Sequence, residues 1–443
     1  MTPRIALTMV FLSLQVAAAG DPAMLQASKQ LCRAYWAGFG HENTNVCYHH
    51  RLNGAKGIET LSSPAEIARR ETRGKPMPYG YGSGIQDVPL ENGQLLLALC
   101  DAYEATHDAE LAAFARRIFA GMKLVGTISP VPGFVPRGPH PDGKSYYPDS
   151  SRDQHCAFVE ALWRYSRSEL ATAEDRSFIA DELTHVAKRL EKNNWIITVE
   201  DDSKMAHVGF GWRQFTVVGA ATLLGHLAAV HDATGDAHWA ELYQRFSAEK
   251  GGKRWDLFRI DKDHKWRPET LYSNQFYTSL RVLLATEKAP ARLELLRTYM
   301  RVRAERALRA SLFDASVWRR LDWAGGESDE AAQKRLDVLG LRLDKPTTVL
   351  DAFTMFSADR MQERNWRRRS ASAKLLYGMA TVPFHQISLS GDDRLIAEIA
   401  PHVRRMSALM LAHGQTYTSG ENFNRTVILA LHLAAWQARK VSR

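Results

Sequence analysis

Two kinds of helix alternate along this chain. One kind is apolar nearly all round: Leu95 to Leu99, Phe215 to Ala229, Val282 to Ala285 and Val427 to Trp436. The other is amphipathic and charged: Phe114 to Ile118, Asp181 to Lys192 and Leu293 to Arg309. A helix apolar on every side is buried on every side, whereas an amphipathic one shows a stripe to water. The periodicity predicts helices over 22–40, 88–106, 109–125, 152–168, 174–193, 212–233, 236–249, 273–287, 290–311, 366–382, 392–412 and 422–440. Thr106-His107-Asp108 and Thr234-Gly235-Asp236 read as tight bends between antiparallel helices. Six buried helices alternating with six half-exposed ones describe an inner ring wrapped by an outer ring, an all-α (α/α)6 toroid. Helix 22–40 would close the ring against 422–440. No fixed repeat period supports an open solenoid. A closed ring cannot be divided, so residues 20–443 are expected to form one domain.

Residues 1–19 stand apart. Arg4 precedes a mostly apolar run, Ile5 to Val16, and Ala17-Ala18-Ala19 offers small residues for cleavage. That is the pattern of a Sec-type signal peptide, and the run is too short to span a bilayer. A periplasmic or secreted protein is expected, with no membrane association after cleavage. Export makes the four cysteines candidates for pairing, and Cys32–Cys47 is the favoured disulfide. Cys100 and Cys156 are expected as buried thiols. The chain carries 58 Lys+Arg against 49 Asp+Glu, a formal +9. Much of that excess sits in Arg301 to Arg309 and Arg364 to Arg369, which read as solvated outer faces, so an anionic partner is only a lean.

The phrase Glu91-Asn92-Gly93-Gln94-Leu95-Leu96-Leu97-Ala98-Leu99, followed by Ala102-Tyr103-Glu104-Ala105-Thr106-His107-Asp108, looks like one hairpin of a known group. With the helix layout over 22–440, the chain resembles the six-hairpin glycosidase-like superfamily. The resemblance implies an (α/α)6 fold and carbohydrate chemistry. It carries over no catalytic residue, because no single family's signature is matched.

In an alternating ring the inner helices run parallel, so the segments entering them converge on one mouth. Those segments are also the long ones, and long loops gathered on a rigid scaffold are where sites form. The first brings Tyr79, Tyr81, Gln86, Asp87, Glu91 and Asn92. The second brings Arg137, His140, Tyr146, Tyr147, Asp149, Arg152, Asp153, Gln154 and His155. Later ones bring His207, Trp212 and Arg213; Trp266, Arg267, Glu269, Tyr272, Asn274 and Tyr277; Trp366, Arg367 and Arg368; and Tyr417, Glu421 and Asn422. Aromatic faces beside carboxylates, amides and Arg suit a sugar, which has apolar faces and hydroxyl edges. Asp149 or Ser150 also reads as the N-cap of helix 152–168. Glu91 and Glu421 read as first-turn acids favoured by the helix dipole.

Glycoside hydrolysis needs two carboxyl groups, one a proton donor and one a base or nucleophile. Asp87, Asp153 and Glu269 are the leading candidates, with His207 and Tyr272 as further catalytic groups. Arg137, His140, Tyr146, Asp149, Arg152, Gln154, His155, Trp212, Arg213, Trp266, Asn274, Tyr277 and Glu421 are the expected substrate contacts. A polysaccharide lyase would instead need a Tyr or His base and an Arg or Asn to neutralise a uronate. A glycan-binding protein without catalysis is the reading from a different class. The expected partner is a polysaccharide or oligosaccharide, with a lean towards an anionic one, bound by a monomer. No P-loop, dinucleotide fingerprint or metal-ligand spacing is present, so no cofactor or metal is expected. The basic run Trp366 to Arg369 is too short to imply nucleic-acid binding.

Overall fold

The computed structural model describes residues 22–260, 274–320, 381–416 and 420–441. The fold is all-α. Its helices are α1 (Pro22–Phe39), the short α2 (Pro64–Ala68), α3 (Val88–Thr106), α4 (Ala109–Thr127), α5 (Arg152–Ser166), α6 (Ala173–Lys192), α7 (Val217–Thr234), α8 (Ala237–Asp256), α9 (Asn274–Thr286), α10 (Pro290–Arg320), α11 (Thr381–Ser390), α12 (Asp393–His413) and α13 (Gly420–Val441). Two small antiparallel ribbons lie between α1 and α3: β1 (Gly40–His41) with β2 (Val46–Cys47), and β3 (Glu71–Thr72) with β4 (Lys75–Pro76).

Six helices pack in a closed cycle of neighbours. α3 touches α5, α5 touches α7, α7 touches α9, α9 touches α11, α11 touches α13, and α13 returns to α3. The remaining long helices pack outside them: α1 on α12 and α13, α4 on α3, α6 and α8 on α7, and α10 on α11. Burial explains the division. Leu95 to Ala102 of α3 and Gly219 to Val230 of α7 are buried without interruption, whereas α4 and α6 bury one stripe each.

Contacts at both ends show that inner helices run in the same direction. At their N-terminal ends the Asn424 amide donates to the Glu91 carbonyl (2.8 Å), and Leu90 N–H donates to Gln154 Oε1 (3.1 Å). At the C-terminal ends Asp101 of α3 accepts from Arg164 of α5 (2.8 Å) and Arg281 of α9 (2.6 Å). His432 of α13 stands 4.0 Å from the same carboxylate. Burial works against the charge on Asp101, yet the two guanidinium groups hold its carboxyl below the usual range.

Local chemistry moves several element ends. α7 begins at Val217 because Thr216 caps it, accepting from Gly219 N–H at 3.0 Å. α8 runs to Asp256 through a break at Glu249 to Gly252, where three consecutive residues have positive φ. α5 is capped by Ser151, not by Asp149 or Ser150; the Ser150 hydroxyl donates instead to the Val135 carbonyl. The expected helix 366–382 lies almost wholly outside the described residues, and the inner helix there occupies Thr381–Ser390. The signal segment also lies outside them. The expected Cys32–Cys47 disulfide is absent: all four cysteines are buried free thiols, serving as small apolar residues in the core.

The inner helices approach closely where side chains vanish. A Cβ on Gly93 would stand 2.6 Å from the Ala157 carbonyl oxygen, and one on Gly225 would stand 2.9 Å from the Ser279 backbone. Helix propensity alone predicts that Gly93→Ala gains about 1 kcal/mol. The clash falls on backbone, which cannot rotate away, so overpacking prevails. Gly93→Ala is expected to lose about 1 to 3 kcal/mol, read from urea unfolding midpoints.

Candidate functional site

The N-terminal ends of α3 and α5 and the loops beside them gather a polar cluster around Arg137. This side chain is only 1% exposed. Its carbonyl accepts from Val88 N–H (3.0 Å), fixing the residue to the start of α3. Its guanidinium donates to Asp87 (3.4 Å), Asp149 (3.5 Å) and the Ser150 carbonyl (3.3 Å). It also lies 4.7 Å from the centroid of the Tyr81 ring, within reach of a cation–π contact.

Asp87 occupies the N-cap position of α3 but does not cap it. Its φ of 65° is left-handed, a conformation that Asp tolerates better than most residues, and its carboxylate makes no capping bond. The carboxylate is turned to Gln154, whose amide donates to it at 2.6 Å. Backbone strain that releases a carboxylate from a structural duty is a mark of functional positions.

Asp153 sits in the first turn of α5, 7% exposed, with Arg152 Nε 3.4 Å away. Burial pushes its carboxyl up to about 6; the Asp87 charge adds to this and Arg152 opposes it. Arg152 in turn lies over the Phe210 ring, 5.2 Å from its centroid. Asp149 is also raised by burial, with Arg137 and the His207 backbone N–H (3.2 Å) opposing. Above it, the exposed His207 ring stacks on Tyr79 at 3.6 Å and 9°, and Tyr81 meets both rings edge-on. Burial and Arg137 depress the His207 ring, with Asp149 opposing. The result is a partly exposed aromatic platform beside two carboxyl groups of different character.

Of the residues anticipated as a site, Asp87, Arg137, Asp149, Arg152, Asp153, Gln154 and His207 come together. Others do not. His140 closes its own turn, accepting from Asp142 N–H at 3.1 Å. Tyr146 donates to Glu200 (2.6 Å). His155 is buried against Ser150 and the Ser151 carbonyl, and burial lowers it to about 4. Trp212 is fully buried against His226, ring centroids 4.9 Å apart, so it is core and not a stacking surface. Arg213 faces outward to Asn194 (2.8 Å), and Tyr277 packs on Phe276 in the core. Glu421 is a first-turn acid of α13 paired with Arg425 one turn on. Asn274 opens α9, its side chain outside the described set. Trp266, Glu269 and Tyr272 lie outside the described residues, as do Trp366 to Arg368 and Tyr417.

Two groups escaped sequence reasoning. His49 pairs with Glu91, so Glu91 is a buried ion-pair partner and not simply an acid at a helix dipole. Glu160, on α5 two turns beyond Asp153, is hydrogen-bonded with Thr278 and Ser279 of α9 and lifted by burial to about 8. Neither carries a motif.

A cavity of about 340 Å³ opens at the other end of the ring, lined by Asp101, Arg281, His432, Asp393, Trp436 and Lys440 among others. Its acids are already matched: Asp101 by two arginines, Asp393 by Trp436 and Lys440. The N-terminal mouth, with its raised acid and open aromatic stack, is the better candidate. Among the described residues no three His, Cys, Asp or Glu side chains converge as metal ligands, and no helix is long and apolar enough to cross a membrane. Comparisons with family models, with curated proteins and with solved structures return no match.

The electrostatics give a stability test. A carboxyl raised in the folded state binds its proton more tightly there than in the unfolded chain, so stability falls as pH rises between about 4 and 6. Asp153→Asn removes the ionised form. The variant is expected to be more stable than the parent at pH 8 by about 2 to 3 kcal/mol, and equal to it near pH 4, in urea titrations at both pH values.

Proposed function

We propose that this chain is an exported enzyme of the (α/α)6 type that cleaves glycosidic bonds by hydrolysis, acting as a monomer on a polysaccharide or oligosaccharide. The closed cycle of six inner helices supports the toroid. The observation that carries the chemistry is the unlike pair Asp87 and Asp153 at one mouth. Asp153 is held up to about 6 by burial, as a proton donor requires. Asp87 accepts from Gln154 and Arg137, the arrangement of a carboxylate that takes a proton from water. A buried proton donor beside a more open, hydrogen-bonded carboxyl group is the pairing that hydrolysis needs. The Tyr79–His207 stack offers a face for a sugar ring.

In this scheme Asp153 protonates the leaving oxygen as the C–O bond breaks, and Asp87 receives the proton of the attacking water. No metal or cofactor is called for. β-Elimination is the second reading, supported by Tyr81 and His207 standing close to Arg137, which could face a uronate.

A panel of neutral and acidic glycans, assayed for new reducing ends, tests the reading. Reducing ends without an unsaturated product support hydrolysis. Ultraviolet absorbance of an unsaturated uronate would replace it with elimination, and binding without cleavage would leave only a lectin-like role. Asp153→Asn is expected to lower turnover at least about 100-fold with the circular dichroism spectrum unchanged. In the parent, turnover should fall as pH rises above about 6, where Asp153 loses its proton.

A further inference from the structure

Beside the cluster, His49 is fixed from three directions. Its backbone N–H donates to the Gly84 carbonyl (3.1 Å), and its carbonyl accepts from Gly420 N–H at the start of α13 (2.7 Å). Its ring Nδ1–H donates to Glu91 Oε1 (2.8 Å), from a carboxyl that is almost fully buried on α3. The ring's other nitrogen, Nε2, has no partner among the described residues, and the side chain keeps 17% exposure against 6% for Glu91. A buried carboxylate that orients one ring nitrogen and leaves the other presented is how proteins prepare a histidine for a ligand.

The surroundings keep this ring charged. Burial works against the charge, but Glu91, Glu421 and Asp87 lift His49 to about 9, while burial pushes the Glu91 carboxyl up. The acids near it are already engaged: Glu91 by His49 itself, Glu421 by Arg425, and Asp87 by Gln154 and Arg137. Among the described residues, the charged donor at Nε2 is the group left without an acceptor.

Asp87 connects the two halves of the mouth. Its carbonyl accepts from the N–H of Glu91, the partner of His49 (2.9 Å), and its carboxylate accepts from Arg137, which lies over Tyr81. We propose that His49, positioned by Glu91, forms a second sugar subsite across Asp87 from the Tyr79–His207 platform, its Nε2–H donating to an oxygen of the bound ring. The scissile bond would then lie over Asp87, and the substrate class is an oligosaccharide with at least one ring on each side. The inference rests on the reading of the mouth as a sugar site.

The test uses full-length protein with ¹⁵N-labelled histidine, titrated with cellotriose and with trigalacturonate. At least one trisaccharide should perturb His49 Nε2, and His49→Gln should weaken its binding about 10- to 100-fold, the worth of a hydrogen bond from a charged donor. Glu91→Gln should bring the His49 titration down from about 9 and weaken the same trisaccharide, whereas a purely structural Glu91 would leave the affinity unchanged. Binding that leaves the ring unmoved, equal affinity in His49→Gln, or no binding of either sugar overturns the subsite. If His49 responds but no glycan is cleaved, the hydrolase reading falls and the subsite stands. If glycans are cleaved equally well by His49→Gln, the reverse holds.

Discussion

One buried guanidinium organises the mouth. Arg137 is nearly inaccessible to water, so its charge must be answered by protein, and the answer draws three segments together. Asp87 comes from the start of α3, Asp149 and Ser150 from the approach to α5, and Tyr81 from the preceding loop. Removing a buried charge's partners costs about 3 to 5 kcal/mol, far more than a surface ion pair. The same residue therefore fixes the left-handed turn at Asp87 and sets the floor beneath the aromatic platform.

A matching device closes the far end. Asp101 joins α3 to α5 and α9 through two arginines, with His432 of α13 beside it. With ionic clamps at both ends and close backbone contacts between, the inner helices have little freedom to slide. Rigidity of this kind is what a constellation of small distances requires, since catalytic groups must be held to within about half an ångström.

How much of this was legible in the sequence follows from what kind of force makes each feature. The helices were, because burial on all sides or on one stripe writes a period into the residues. Leu95 to Leu99 and Val427 to Trp436 could hardly be anything else. The convergence of Asp87, Arg137, Asp153 and His207 was accessible through topology, since parallel inner helices must deliver their entry loops to one face. What periodicity does not encode was missed. Trp212 looked like a stacking surface but is core, because whether an aromatic points inward depends on the turn before α7, set by Thr216. His49 lay unmarked in a long loop, and only its meeting with Glu91, 42 residues on, gives it meaning. Cys32 and Cys47 suggested a bridge by proximity in sequence, yet both are packed as apolar residues.

The competition at Asp153 shows why the mouth can hold a proton donor at all. The N-terminus of α5 favours the ionised form of a first-turn acid, typically by 0.3 to 1 kcal/mol and at most about 2. Arg152 adds in the same direction. Raising the carboxyl from its ordinary 3.8 to about 6 requires about 3 kcal/mol the other way, net of both. Desolvation supplies it, because Asp153 is enclosed while Asp87, 28% exposed at its side chain, is not. The two acids stand in the field of the same arginine. Their different access to water sets them apart, and that difference was built by where the chain turned to enter α3 and α5.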